Sequence, residues 1–149
     1  EFARNELKIK NAGSSEFDKK CYPVIGLIEE WSKNGRKIKG TLKNLGGTMR
    51  LGLYPAKLQH NSLIKEIYKS GQIKERHRHR YEVNVNLRKK FEAHGLNFSG
   101  MSPDNNLPEI IEIKNHPWFI GVQFHPEFKS RPLQPHPLFS SFIEAAKNK

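Results

Sequence analysis

The chain has 149 residues, 36% of them hydrophobic, enough for one domain with a buried core, and no apolar run approaches the roughly 20 residues that a membrane-spanning helix needs. Its one cysteine excludes an internal disulfide and suits a reducing compartment. The 26 Lys and Arg against 15 Asp and Glu give a net charge of +11, but these charges are spread along the chain without a basic tail, an RNP-like or zinc-finger pattern, or interleaved aromatics, so a solvated basic surface is expected and nucleic acid is not. The opening EFARNELKIK lacks an export signal, and a cytoplasmic protein is expected.

In chain order, Glu1 to Asn5 reads as the last part of a helix, and Asn11 to Ser15 as a loop by composition. Pro23 opens a short apolar strand, Val24 to Ile28, followed by a polar turn at Asn34-Gly35 and an exposed alternating strand at Lys37 to Leu42. Three glycines then frame a strand-like Thr48-Met49-Arg50-Leu51. Ser62 to Ser70 spaces Leu63, Ile64, Ile67 and Tyr68 as an amphipathic helix, with Asn61 or Ser62 as cap and Gly71 as stop. Leu87 to His94, between Asn86 and Gly95, is a second short helix. Leu96 to Gly100 is a strand and Ser102 to Pro108 a turn-rich loop. Ile110 to Lys114 and Trp118 to Phe124 flank Asn115-His116-Pro117 as a hairpin. From Pro137 onward, Leu138, Phe139, Phe142, Ile143 and Ala146 form the apolar stripe of a closing helix, whose final lysines suit the negative end of its dipole. Such a mixture indicates an α/β fold with an antiparallel late portion.

Two stretches carry chemistry. In Glu75 to Glu82, ERHRHRYE, an extended backbone would put Arg76, Arg78 and Arg80 on one face and His77 and His79 on the other. A guanidinium row can clamp a carboxylate or phosphate; it can equally be the charge that keeps an edge strand from pairing. Zinc, with His77 and His79 joined by a distant His94, His116 or His136, lacks the ligand spacing, and no metal site is expected.

The second stretch is Trp118 to Glu127, WFIGVQFHPE, a buried strand bracketed by Pro117 and Pro126 that delivers His125 to a sheet edge. If the chain stays extended through Pro126, His125 and Glu127 project to the same side. A carboxylate beside an imidazole fixes its tautomer and stabilises the imidazolium, as the base and orienter of a nucleophilic triad do. The plainer reading is a strand-end histidine beside a solvated glutamate.

Gln123-Phe124-His125-Pro126-Glu127 after an apolar strand resembles the His/Glu segment of class I glutamine amidotransferases. LGGTMRLG (Leu45 to Gly52), ERHRHRYEV (Glu75 to Val83), PEIIEIKNHPWF (Pro108 to Phe119), QFHPEF (Gln123 to Phe128) and HPLFSSFIEAA (His136 to Ala146) resemble, in order and spacing, the CTP synthase family. The resemblance covers nearly the whole chain. It implies an incomplete class I amidotransferase-like domain, a mixed sheet flanked by helices, with residues 1–149 as its carboxyl-terminal portion.

That family joins a synthetase domain, which uses ATP and Mg²⁺ to activate UTP, to a glutaminase domain that supplies ammonia from L-glutamine. GTP is its allosteric activator and the enzyme is a homotetramer. The resemblance implies that His125 is the general base and Glu127 its orienter. It also implies that Glu16, in Ser14-Ser15-Glu16-Phe17, contacts the substrate L-glutamine and that Arg80 binds in the same pocket. A carboxylate suits the substrate's α-ammonium group, and an arginine its α-carboxylate. By the resemblance, Thr48 to Leu51 lies where GTP activation is communicated to the glutaminase site, and no cofactor is expected to be bound by this segment itself.

One departure from the family pattern bears on activity. Class I glutaminases carry their nucleophile in a G-x-C-x-G turn, and this sequence has none. By the resemblance the chain begins in the helix after that turn, and the synthetase domain is missing as well. Cys21, in Lys-Lys-Cys-Tyr-Pro, has no glycines to permit an elbow and does not replace it. The chain alone is therefore expected to be inactive. A non-catalytic basic binding module would explain the charge but not the ordered motifs, and another class I amidotransferase would explain QFHPE but not LGGTMRLG or ERHRHRYEV.

Overall fold

A computed structural model describes residues 1–27 and 49–148. In chain order its elements are α1 (Phe2–Asn5), β1 (Ala12–Ser14), β2 (Tyr22–Leu27), β3 (Arg50–Leu58), α2 (Leu63–Tyr68), β4 (Gln72–His79), β5 (Tyr81–Val83), α3 (Arg88–Ala93), β6 (Leu96–Met101), β7 (Pro108–Ile113), β8 (Ile120–Val122) and α4 (Pro137–Lys147). Two 3₁₀ turns, Val85–Leu87 and Pro126–Lys129, complete them. The expected turn at Asn34-Gly35, the strand at Lys37 to Leu42 and the first residues of LGGTMRLG lie outside the described residues. The chain forms two compact units, one from Glu1–Arg50 and His79–His94, the other from Leu51–Arg78 and Gly95–Lys149. The α/β class is as expected, with the strands divided between two sheets.

The first unit holds a three-stranded sheet in the order β1, β2, β5. β1 runs parallel to β2, and β5 antiparallel to it through Ile25↔Val83 and Leu27↔Tyr81. β1 falls within Asn11 to Ser15, which composition marks as a loop. Its small residues let the two strands close up: a Cβ on Gly13 would stand 2.9 Å from Cys21 Cβ. Phe2 meets Phe91 of α3 with ring centroids 6.0 Å apart, and Ala3, Ala12, Leu87 and Phe91 are buried. Glu82 is fully buried, and Arg50 Nη1 at 3.4 Å answers its charge.

The second unit holds a five-stranded sheet in the order β4, β3, β6, β7, β8. β6, β7 and β8 pair antiparallel, the last two as the expected hairpin with Ile110↔Val122 and Glu112↔Ile120. Ala56, Leu58, Ile64, Ile73, Ile110, Phe124 and Leu138 form its core. β3 is an inner strand despite Pro55. Leu58 donates to Gly71 and Gln59 to Ser99, so alternate residues from Gln59 back to Pro55 face β6, whose register with β3 covers only Lys57 and Leu58. The N–H that Pro55 lacks is not needed there.

Ser62 caps α2 by accepting from Lys65 N, and the helix ends on Lys69 in the left-handed conformation (φ 53°), two residues before the expected stop at Gly71. Asn84 caps the Val85–Leu87 turn by accepting from Asn86 N. On α4 only Leu138 of the apolar stripe is buried, while Phe139, Phe142 and Ile143 are exposed.

Candidate active site

The strand alternation of ERHRHRYEV is present but divided. In β4, Lys74, Arg76 and Arg78 are exposed while Ile73, Glu75 and His77 are buried. β4 is an outer strand of its sheet, where exposed cations discourage pairing. Arg80 falls after β4, and Tyr81 to Val83 belong to the other sheet. The three arginines thus do not form one continuous row.

His125 follows β8. Gln123 N still donates to Glu109 O of β7, and Phe124 is buried in the core. His125 N then donates to Arg76 O of β4 at 2.8 Å. In a flat five-stranded sheet the outer strands would stand about 19 Å apart, so this bond requires the sheet to curl until the chain leaving β8 reaches β4. The chain is thus held on both sides, Gln123 to β7 and His125 to β4.

The chain does not stay extended beyond His125. Pro126, with its restricted φ and missing N–H, opens the Pro126–Lys129 turn at a position that suits it. That turn brings Glu127 Oε1 to 2.7 Å from His125 Nδ1. Since an ionised carboxylate only accepts, the proton is assigned to Nδ1 and Nε2 is left as the acceptor. The hydrogen bond from His125 is the main reason that the Glu127 carboxyl lies below the usual carboxylate range. The His125 ring stacks on Phe128 with centroids 5.1 Å apart. Both side chains remain reachable, with 38% of His125 and 55% of Glu127 exposed. The result is an imidazole oriented through Nδ1 on a partly exposed side chain.

Composition alone gave no sign of the buried polar cluster beside this turn. Glu75, 1% exposed, holds through Oε1 Tyr68 OH at 3.1 Å, Lys129 Nζ at 3.1 Å and His136 Nε2 at 3.3 Å. Burial pushes its carboxyl up, but the hydrogen bonds from His136 and Lys129 outweigh that and hold it below the ordinary range. Burial and the Glu75 charge push the Tyr68 hydroxyl well up, which keeps it a donor. The cluster borders a cleft of about 670 Å³ that Arg76, Phe128 and Arg131 also line. In the sequence Glu75 reads as one more charge in a charged run.

Glu16, Arg80 and Cys21 lie in the first unit. Glu16 is exposed in the turn after β1, its N–H donating to Ser14 Oγ at 3.3 Å. Arg80 is half-buried between β4 and β5. Cys21 sits before β2, its N–H donating to Asp18 O. The histidines take separate partners: Glu109 for His77 and Lys90 O for His94. Among the described residues no three His, Cys, Asp or Glu gather as metal ligands.

Residues 20–145 match the family described as glutamine amidotransferase class-I. The chain belongs to the class I glutamine amidotransferases. Among relatives of this amidotransferase chain, the CTP synthase of Pelagibacter ubique is 76% identical over 148 residues, which are 99% of this chain and 28% of that protein. The CTP synthase of Hyphomonas neptunium is 58% identical over 147 residues, 98% of this chain and 27% of that protein. The chain thus spans little more than a quarter of those relatives' length. Among solved structures, the Trypanosoma brucei CTPS glutaminase domain with bound acivicin superposes with a TM-score of 0.82 at 31% identity, covering 99% of this chain and 55% of that one. No helix among the described residues is long and apolar enough to cross a membrane.

Proposed function

We propose that this chain is the carboxyl-terminal part of the glutaminase domain of a CTP synthase, the cytoplasmic ligase that aminates UTP to CTP with ATP, Mg²⁺ and ammonia from L-glutamine. The observation that carries the reading is the 2.7 Å contact between His125 Nδ1 and Glu127 Oε1, in a chain 76% identical to a CTP synthase.

In this reading Glu127 holds the imidazole so that Nε2 takes the proton of a cysteine thiol. The thiolate adds to the side-chain amide carbon of glutamine. His125 returns the proton to the departing nitrogen, and ammonia leaves an acyl-enzyme thioester. His125 then takes a proton from water, whose oxygen attacks the thioester to give glutamate and restore the thiol. Glu16 pairs with the substrate's α-ammonium group and Arg80 with its α-carboxylate. The thiol belongs to a G-x-C-x-G turn that the 149-residue sequence does not contain, so the isolated chain releases no glutamate. ATP, Mg²⁺ and UTP bind in the synthetase domain, GTP activates the enzyme, and it assembles as a homotetramer; none of their contacts is assigned to residues of this chain.

The test is H125A in the protein expressed from its complete coding sequence. Glutamine-dependent CTP formation falls by about 10²-fold or more, while CTP formation from added ammonium chloride continues. Equal loss with both nitrogen sources, or no loss with either, would reject the assignment.

A further inference from the structure

Glu75 joins three elements that the sequence keeps apart. Tyr68 closes α2, Lys129 closes the turn that carries Glu127, and His136 caps α4. All three reach the same carboxylate oxygen. His136 Nδ1 accepts from Leu138 N, so the ring proton belongs on Nε2, where it donates to Glu75. Lys129 Nζ adds a 2.8 Å bond to Lys74 O, and His136 N donates to Ser130 Oγ at 3.1 Å. The loop from His125 to His136 is therefore pinned at both ends to β4: at Arg76 O by the backbone of His125, and at Lys74 O and Glu75 by Lys129 and His136.

Glu127 itself has no such anchor. More than half exposed, it keeps its place through the turn it stands on, whose far end is Lys129. A hydrogen bond at 2.7 Å is lost if that turn rotates by an ångström or so.

We propose that Glu75 is a positioning residue for glutamine hydrolysis: by holding Lys129 and His136 it fixes the Pro126–Lys129 turn so that Glu127 meets His125 Nδ1. This rests on the reading of His125 and Glu127 as base and orienter. Glu75 acts through the turn, and the ammonium group of Lys129 transmits its hold. Glu75 is a buried carboxylate, and taking a partner away from such a charge is costly.

The test uses the protein expressed from its complete coding sequence with E75Q, K129M and K129R, assayed with glutamine and separately with ammonium chloride. E75Q lowers the glutamine-dependent kcat by roughly tenfold or more, with KM for glutamine within about twofold and the ammonium-dependent rate unchanged. K129M, at a side chain 40% exposed and so tolerant of substitution, moves kcat in the same direction, and K129R restores most of it. An unchanged kcat in both E75Q and K129M overturns the proposal, as does a parallel fall with both nitrogen sources that follows lost thermal stability. H125A run alongside separates the two levels. If it abolishes glutamine-dependent turnover while E75Q and K129M do not impair it, the positioning role alone fails; if H125A is harmless, the active-site reading fails first.

Discussion

The imidazole of His125 and the carboxylate of Glu127 meet at 2.7 Å across a single proline. Pro126 starts a 3₁₀ turn, and the turn, not an extended backbone, puts the two side chains together. In the proposed reading Glu127 is an orienter whose effect passes through His125, so its loss leaves the base in place but lets the ring rotate and change tautomer. E127Q in the complete protein is expected to lower glutamine-dependent kcat by roughly tenfold or more, and less than H125A does, with ammonium-dependent synthesis preserved. Steady-state kinetics with both nitrogen sources checks this, and an E127Q defect larger than that of H125A would show that Glu127 acts directly.

How far the sequence reveals this arrangement differs from one segment to the next. The hairpin of β7 and β8 is legible because two apolar runs flank Asn115-His116-Pro117, and Phe124 just before His125 announces a core anchor. β1 is hidden because Ala-Gly-Ser has the composition of a turn; what makes it a strand is its parallel pairing with β2, a tertiary fact. The division of ERHRHRYEV at Arg80 is equally invisible, since charged and uncharged residues alternate on both sides of a change of sheet. Glu75 escapes notice because its burial depends on Lys129 and His136, more than fifty residues away. The stripe on α4 overstates its burial, as period alone does not say what covers Phe139, Phe142 and Ile143.

Acid should loosen the cluster around Glu75. Its carboxyl and that of Glu127 are both held below the ordinary carboxylate range, so as acid approaches that range the unfolded chain binds more protons than the folded one and stability rises with pH. The contribution is complete above about pH 4.5 and disappears as the pH falls through the lowered values. Urea midpoints measured between about pH 6 and about pH 3 should drop, with a shallower drop in E75Q. Identical slopes for the two proteins would show that Glu75 is not a source of the dependence.

Gly100 tests the packing of β6 on β7. A Cβ there would stand 2.6 Å from Ile110 Cδ1, 2.7 Å from Cγ1 and 2.9 Å from Cβ. The first two atoms can swing away; Ile110 Cβ moves only with its backbone, and Gly100 and Ile110 are paired in register. G100A should therefore cost about 1–3 kcal/mol, and I110V, which removes Cδ1, should recover part of it. Chemical denaturation of the single and double variants measures both, and a G100A midpoint equal to that of the parent would mean that β6 and β7 are not packed so closely.

Glu112 offers the clearest stability test of the second unit. It is buried on β7, and its two carboxylate oxygens accept from Leu63 N at 3.1 Å and Ile64 N at 2.9 Å, satisfying two of the amide groups that a helix leaves unpaired at its start. Ser62 satisfies a third at Lys65 N, so α2 is capped from its own chain and from the neighbouring sheet. Glutamine matches glutamate in size but carries an oxygen on one side and an NH₂ group on the other. In E112Q one backbone N–H therefore faces another donor in a buried site, at a cost of about 1–3 kcal/mol. S62A removes the local cap together with the 2.7 Å bond from Ser62 Oγ to Gln59 O and should cost about 1 kcal/mol. The expected order is E112Q below S62A below the parent in urea midpoint, accompanied by faster hydrogen exchange at Leu63 and Ile64 in E112Q; unchanged exchange at those two amides would show that Glu112 does not hold the start of α2.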